Sequence, residues 1–446
     1  MKRQFRAALG ALFVACAALP APAIAAEGQH PQSVYVNGKL YNWPAHPTVV
    51  ILIDGNDPEY IKAGIEQGVL PNFKRLGEEG FATVALGAMP SLTNPNNISV
   101  ITGQPPAVHG ITGNYFLDPE TGREVMMDQP GFERAESILA AFSRQGAKVV
   151  ALTAKNKLAK MLSSGIHLDN GISFSSEKAD TCTRKANGTA DCLALMGRSS
   201  PPDVYSADLS LAMLEAGVRI YETERPDLMY LSTSDYMQHT YAPGSKEANG
   251  FYAAIDRVIG RLVSLGATVA VTADHGMNDK SGADGTPNVV FLQDVLDRAF
   301  GAGKTRVILP ITDPYVRHHG ALGSYATVFI RDSGLKPTDV MQAIAREQGV
   351  DMVMERYAAA RIFELPPDRI GDLVVSADRH TVLGGRKSEH DLAKLAGHRL
   401  RSHGGLSDRN TYLMFSRPLS DRYAAIAASR RLRNFDAFDF ALNGLK

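Results

Sequence analysis

The run "VVILIDG", residues 49–55, is apolar for five consecutive positions and then stops on an acid and a glycine. An apolar run without alternation reads as a strand buried on both faces, as in a parallel sheet. Two further runs repeat the arrangement. "LMYLSTSDYMQHT", residues 228–240, reaches Asp235, and "VAVTADHG", residues 269–276, reaches Asp274-His275-Gly276. Around them, strand patterns at 49–53, 82–86, 148–152, 228–231 and 268–272 alternate with helical patterns at 57–67, 72–79, 209–222 and 252–264. That rhythm predicts an α/β fold with a doubly wound, mostly parallel sheet. Ligands of such sheets bind outside the carboxyl ends of the strands, where these three acids stand.

Two regions interrupt the rhythm. Residues 163–206, rich in Gly, Ser, Asn and Asp, read as a long excursion from the sheet. Residues 278–377 carry strand patterns at 288–292, 306–309 and 326–331 and a helix at 338–348, and read as an inserted α+β cap. The core α/β domain is thus expected over 46–277 and again over 378–446, with 412–415 as one more core strand.

The 446 residues are 44% apolar and 21% charged, and Lys+Arg and Asp+Glu both number 47. A balanced charge argues against a nucleic-acid or membrane-surface binder, which needs a basic excess. Residues 1–25 combine a basic start, an apolar stretch and an Ala-Ile-Ala ending, the pattern of a secretory signal cleaved after Ala25. An alternative reading lipidates Cys16. No other apolar run approaches the length of a membrane span. Cys182 and Cys192 remain in an exported chain, where a local disulfide is expected.

The acids call for cations, because like charges that converge must be neutralised. Asp235 and His239 are four apart, so a helical turn puts them on one face. His275 adjoins Asp274, and "LRSHGG", residues 400–405, offers His403 beside two glycines that permit close backbone approach. Each histidine alone reads as a surface or packing residue, but the joint pattern favours metal. Three Asp with three His suit zinc, with manganese or iron as alternatives, over an all-oxygen site. Six ligands exceed one tetrahedral ion, so two are expected, arranged for displacement at phosphorus. In "MPSLTNPNNISVITG", residues 89–103, Thr93 precedes Asn-Pro and Asn-Asn steps that break regular structure. On that stretch alone Thr93 reads as a helix N-cap. Beside two cations it becomes an activated nucleophile, with helix N–H groups facing the phosphoryl oxygens. His109 reads as a turn residue, His318 and His319 as surface, His380 and His390 as solvated, and Trp43 as packing.

The spread of Asp54, Thr93, Asp235-x-x-x-His239, Asp274-His275 and His403 resembles the alkaline phosphatase superfamily, and within it the nucleotide pyrophosphatase/phosphodiesterase branch. The stretches "SLTNPNNISVITGQPPAVHGITGNYF" (91–116), "TAKNK" (153–157) and "LRSHGGLSD" (400–408) are similar to the phosphonoacetate hydrolases. The resemblance implies a di-zinc hydrolase that cleaves a small phosphonate through a phosphothreonine intermediate, in a chain that could form homodimers. It implies one zinc on Asp235, His239 and His403 and another on Asp54, Asp274 and His275, with Thr93 facing the latter as nucleophile and ligand. It places Asn114 on the phosphonate oxygens and Lys155 and Lys157 on the substrate carboxylate. The lysines have a rationale of their own. Breaking a C–P bond expels a carbanion that must spread into the adjacent carboxylate, and cations aimed there stabilise it. An extended backbone would turn both lysines, two apart, toward one mouth. The alternatives are a phosphodiesterase or nucleotide pyrophosphatase with the same metals and, in another class, an exported phosphonate-binding protein without turnover. A pure binder has no need of Thr93.

Overall fold

The strand Thr48–Leu52 is buried at every position, and so are Val149–Thr153, Leu228–Ser232 and Thr268–Thr272. The computed structural model describes residues 30–313, 320–395 and 398–446. The signal segment, Cys16, His318 and His319 lie outside the described residues. In the seven-stranded sheet the order is Phe81–Leu86, Asn410–Phe415, Thr268–Thr272, Thr48–Leu52, Leu228–Ser232, Val149–Thr153 and Ile172–Ser175. Every neighbouring pair is parallel except the two made by Asn410–Phe415. The mostly parallel α/β sheet is the expected one. Apolar clusters cover both faces, one including Val50, Leu52, Val149 and Tyr230, the other Val49, Ile51, Val150 and Leu231.

Four expectations need correction. The segment 163–206 does not leave the sheet throughout, because Ile172–Ser175 pairs with Val149–Thr153 as the edge strand. Its Ser-rich sequence hides it, because Ser173 and Ser175 are buried polar residues, Ser173 Oγ donating to the Ala151 carbonyl at 2.9 Å. The run at 82–86 is the opposite edge strand rather than a doubly buried one, and Val84 is 38% exposed. The Asn-Pro-Asn-Asn run does not break structure. It lies inside the fully buried helix Thr93–Thr102, with Pro95 in the first turn, where its missing N–H costs nothing. His390 is likewise not solvated, as Nδ1 donates to the Gly320 carbonyl and Nε2 accepts from Gly385 N–H. His109 ends the helix Pro106–His109 ahead of a left-handed Gly110, and its buried Nε2 is 2.8 Å from Ser99 Oγ.

A second, four-stranded antiparallel sheet runs in the order Thr305–Ile308, Tyr325–Ile330, Leu373–Ala377, Val350–Glu355. Its own cluster joins Val307, Val328 and Val375 to Val340 and Ile344 of the helix Pro337–Ala345. Val289–Phe291 pairs with Val382–Gly384, on the far side of position 377 in sequence. Cys182 and Cys192 form a disulfide. Among the described residues no helix is long and apolar enough to cross a membrane.

Asp57 caps the helix Pro58–Glu66 by accepting Glu59 N–H at 3.0 Å. Burial, opposed by that N–H, raises its carboxyl to about 6. The folded chain therefore keeps a proton that the unfolded chain releases near pH 4, so stability falls as pH rises from about 4 to about 6 and then levels off. Asp57→Asn retains a capping oxygen. Thermal melts are expected to show a higher Tm for the variant at pH 7, with the gap closing below pH 4.

Candidate metal centre

Parallel neighbours deliver their carboxyl ends side by side, and the three acids follow the three adjacent strands Thr268–Thr272, Thr48–Leu52 and Leu228–Ser232. The next strand, Val149–Thr153, delivers Lys155. Ligand atoms of Asp235, His239 and His403 all lie within 4.8 Å of one another, as do those of Asp54, Asp235 and His275. Asp235 belongs to both groups. Asp274 joins the second, its Oδ2 3.3 Å from His275 Nε2, which is equally far from Asp54 Oδ1. All seven of these residues, counting Lys155 with the six, are at most slightly exposed.

Each imidazole is locked by a backbone carbonyl. His239 Nδ1 is 2.6 Å from Arg401 O, His275 Nδ1 is 2.9 Å from Gly276 O, and His403 Nδ1 is 2.7 Å from Ser91 O. A carbonyl only accepts, so Nδ1 carries a hydrogen in all three rings and Nε2 is the atom left to face the acids. This is how metal-ligating histidines are oriented. The short helix Tyr236–Thr240 brings His239 Nε2 to 3.0 Å from Asp235 Oδ2. The rings of His275 and His403 stack at 3.5 Å.

Asp274 Oδ1 accepts the N–H groups of Gly55 and His275, which leaves Oδ2 free to coordinate. Asp274 Oδ2, Asp54 Oδ1 and His275 Nε2 are buried without a hydrogen-bond partner. Three orphaned atoms of two ligand types in one place are what a bound cation would satisfy, so the donor set fits a metal. The proton affinities carry the same strain. Burial and the adjacent Asp54 push Asp274 well above the ordinary carboxylate range. Burial opposes a proton on His275, but Asp274 and Asp54 raise it to about 9. Burial and the His275 ring lower His403 to about 4. Burial would raise Asp235, yet Lys155 and His239 hold it well below its usual value.

Thr93 is the first residue of its helix, and Leu92 rather than Thr93 occupies the N-cap. Its hydroxyl makes no hydrogen bond among the described residues, whereas the residues around it are tightly held. Asn96 Nδ2 donates to the carbonyls of Ala88, Pro90 and Leu92. Asn97 Oδ1 accepts from Tyr230 and Ser232 at the strand end that leads to Asp235. Ser91, two residues before Thr93, holds His403 through its carbonyl. Asn114 Oδ1 accepts Asn94 N–H in the same first turn, and its Nδ2 makes no hydrogen bond among the described residues.

The two lysines differ from the extended pair expected. The backbone is extended at Lys155, but the helix Asn156–Ser163 has begun by Lys157. Lys155 Nζ is 2.8 Å from Asp235 Oδ1, and Lys157 Nζ is 2.7 Å from Asp313 Oδ2. Burial opposes the charge of Lys155, while Asp235 and Asp54 raise its proton affinity. Asp313 has no signal in the sequence, since it lies in the inserted region far from any motif. Asp408 closes the stretch "LRSHGGLSD", where sequence alone gives it no role. It is fully buried, bonds Lys280 at 3.2 Å and accepts Gly405 N–H, which fixes the loop behind His403.

Residues 48–405 match the type I phosphodiesterase / nucleotide pyrophosphatase family. The chain belongs to that family. Among solved structures, phosphonoacetate hydrolase from Sinorhizobium meliloti 1021 in complex with phosphonoacetate is 47% identical. The match has a TM-score of 0.87 and covers 92% of this chain and 98% of that one. The same enzyme with phosphonoformate gives 48% identity at the same TM-score and coverage. Murine ectonucleotide pyrophosphatase/phosphodiesterase 5, at 17% identity and TM-score 0.59 over 89% of this chain and 94% of that one, shares the fold. A pyrophosphatase/phosphodiesterase of Schizosaccharomyces pombe is 25% identical over 246 residues, 51% of this chain and 44% of the relative. The chain therefore spans less than half the length of that relative.

Proposed function

We propose that the chain is a metal-dependent hydrolase that cleaves the carbon–phosphorus bond of phosphonoacetate, giving acetate and phosphate. The observation that carries this reading is the buried ammonium of Lys155 within the ligand cluster, 2.8 Å from Asp235. Cleaving a phosphodiester calls for cations at the phosphate, and a metal pair supplies them. An added ammonium suits a substrate with a second anionic group. The 47% identity to an enzyme solved with phosphonoacetate supports the same substrate.

We assign two zinc ions, one to Asp235, His239 and His403 and one to Asp54, Asp274, His275 and Thr93. When bound, they supply positive charge that neutralises the phosphonate and lowers the proton affinity of the attacking hydroxyl. Thr93 Oγ1 gives up its proton to solvent and forms a bond to phosphorus as the C–P bond breaks. The released electron pair spreads into the carboxylate as an enediolate, which Lys155 and Lys157 stabilise until carbon is protonated to acetate. Asn114 Nδ2 donates to a phosphonate oxygen. Water then hydrolyses the phosphothreonine and restores Thr93. The disulfide and the first 25 residues support an exported, periplasmic or secreted enzyme.

The test is release of phosphate from phosphonoacetate by the zinc-loaded chain, compared with cleavage of a nucleotide diester. Lys157→Ala is expected to lower kcat/KM for phosphonoacetate by about 10²–10³ and to affect diester cleavage far less. Faster turnover of the diester by the parent would instead favour the phosphodiesterase reading.

A further inference from the structure

The turn that presents both lysines has an unusual start. Helices normally begin on Ser, Thr, Asp or Asn, whose side chain accepts one of the free N–H groups. Here the N-cap of Asn156–Ser163 is Lys155, which has no acceptor to give and makes no side-chain cap. The acceptor comes from another segment. Glu177 Oε2 accepts Asn156 N–H at 2.8 Å, and Glu177 N–H in turn bonds the Ala154 carbonyl at 3.2 Å. Ser175 Oγ donates to Asn156 Oδ1 at 3.3 Å. Three hydrogen bonds thus stitch residues 154–156 to residues 175–177.

The stitching segment is itself anchored. Glu177 lies in the 3-10 helix Ser176–Thr181, and Cys182 follows directly. Cys182 is bonded to Cys192, which is fully buried in the cluster with Ala179, Met196 and Met213. The disulfide therefore fastens the end of the element that carries Glu177 to the core under the sheet edge.

From these contacts we infer that Glu177 is a positioning residue for the substrate-carboxylate subsite, supplying from outside the cap that Lys155 cannot. The Cys182–Cys192 bond holds Glu177 at that distance. The inference rests on the assignment of Lys155 and Lys157 to the substrate carboxylate.

The test measures KM for phosphonoacetate and the inhibition constant of inorganic phosphate, which has no carboxylate to engage the lysines. Glu177→Ala raises KM by about tenfold, the scale of one hydrogen bond to a charged acceptor, and leaves the phosphate constant within about twofold. Glu177→Gln keeps an acceptor oxygen and restores KM. Glu177→Asp, with the acceptor drawn back by one methylene, behaves like Ala and serves if the Ala variant does not fold. Cys182→Ser with Cys192→Ser moves KM the same way. An unmoved KM in the Ala and Asp variants overturns the inference, as does a parallel rise of KM and the phosphate constant, which would mean general damage to the metal site. A parent chain that releases no phosphate from phosphonoacetate overturns the functional reading and this inference together, whereas an active parent with unmoved variants overturns the inference alone.

Discussion

Thr93→Ala is expected to reduce phosphonoacetate turnover by about 10⁴–10⁶ while the protein stays folded and keeps its metal. The size follows from the role. A nucleophile that forms a covalent intermediate has no partial substitute, so its loss removes the reaction path rather than one stabilising contact. The expectation of an intact fold comes from the surroundings of the residue. Its hydroxyl bonds no protein group among the described residues, so truncation orphans nothing. The first turn is held instead by Asn94, Asn96 and Asn97 through their side chains. Thr93→Ser keeps the hydroxyl and should recover part of the rate. The measurement is initial phosphate release beside metal content and a melting curve for each variant. Turnover of the Ala variant within about tenfold of the parent would exclude Thr93 as nucleophile. Lost metal would mean that the oxygen serves mainly as a ligand.

The acids were legible in the sequence because of a rule of topology. A parallel strand buried on both faces is an unbroken apolar run, and where it stops the chain has reached the carboxyl edge of the sheet. Asp54, Asp235 and Asp274 each sit one to four residues past such a stop, so their meeting needed only that the three strands be neighbours. The Asp235–His239 spacing was legible for a similar local reason, being one helical turn. What escaped depended on pairing between distant segments. Ile172–Ser175 has no apolar run because it borrows its register from Val149–Thr153. The Asn run before Ile98 reads locally as a breaker, yet its amides bond carbonyls and hydroxyls that only the folded chain brings near. Asp313 and Glu177, the carboxylates that hold Lys157 and its helix start, lie 156 and 20 positions downstream of Lys157. No spacing rule links them. The ring tautomers were also beyond reach, since Arg401 O and Ser91 O become partners of His239 and His403 only through tertiary contact.

Removal of bound metal is expected to abolish turnover and to lower the melting temperature together. Without a cation the site holds Asp54, Asp235 and Asp274 in a buried cluster whose nearest fixed positive charge is Lys155. Lys155 is already paired with Asp235. Asp274 is the clearest casualty, its acidity suppressed by burial and by Asp54, and Oδ2 is left without a donor. A buried carboxylate lacking a partner destabilises the folded state, and a cation that binds only that state reverses the loss. At a thousandfold excess over its Kd such a ligand contributes about 4 kcal/mol, or on the order of 5 °C in Tm for a chain of this length. Chelation followed by dialysis, with melting curves and phosphate release recorded before and after, measures both effects. Zinc should restore the two in parallel. Calcium or magnesium should restore neither, because the three Nε2 lone pairs suit a borderline-soft ion and not a hard one. A chelated chain that kept its Tm and its activity would show that the orphaned oxygens and imidazoles do not hold a metal, and Thr93 would then lack the activation that its chemistry requires.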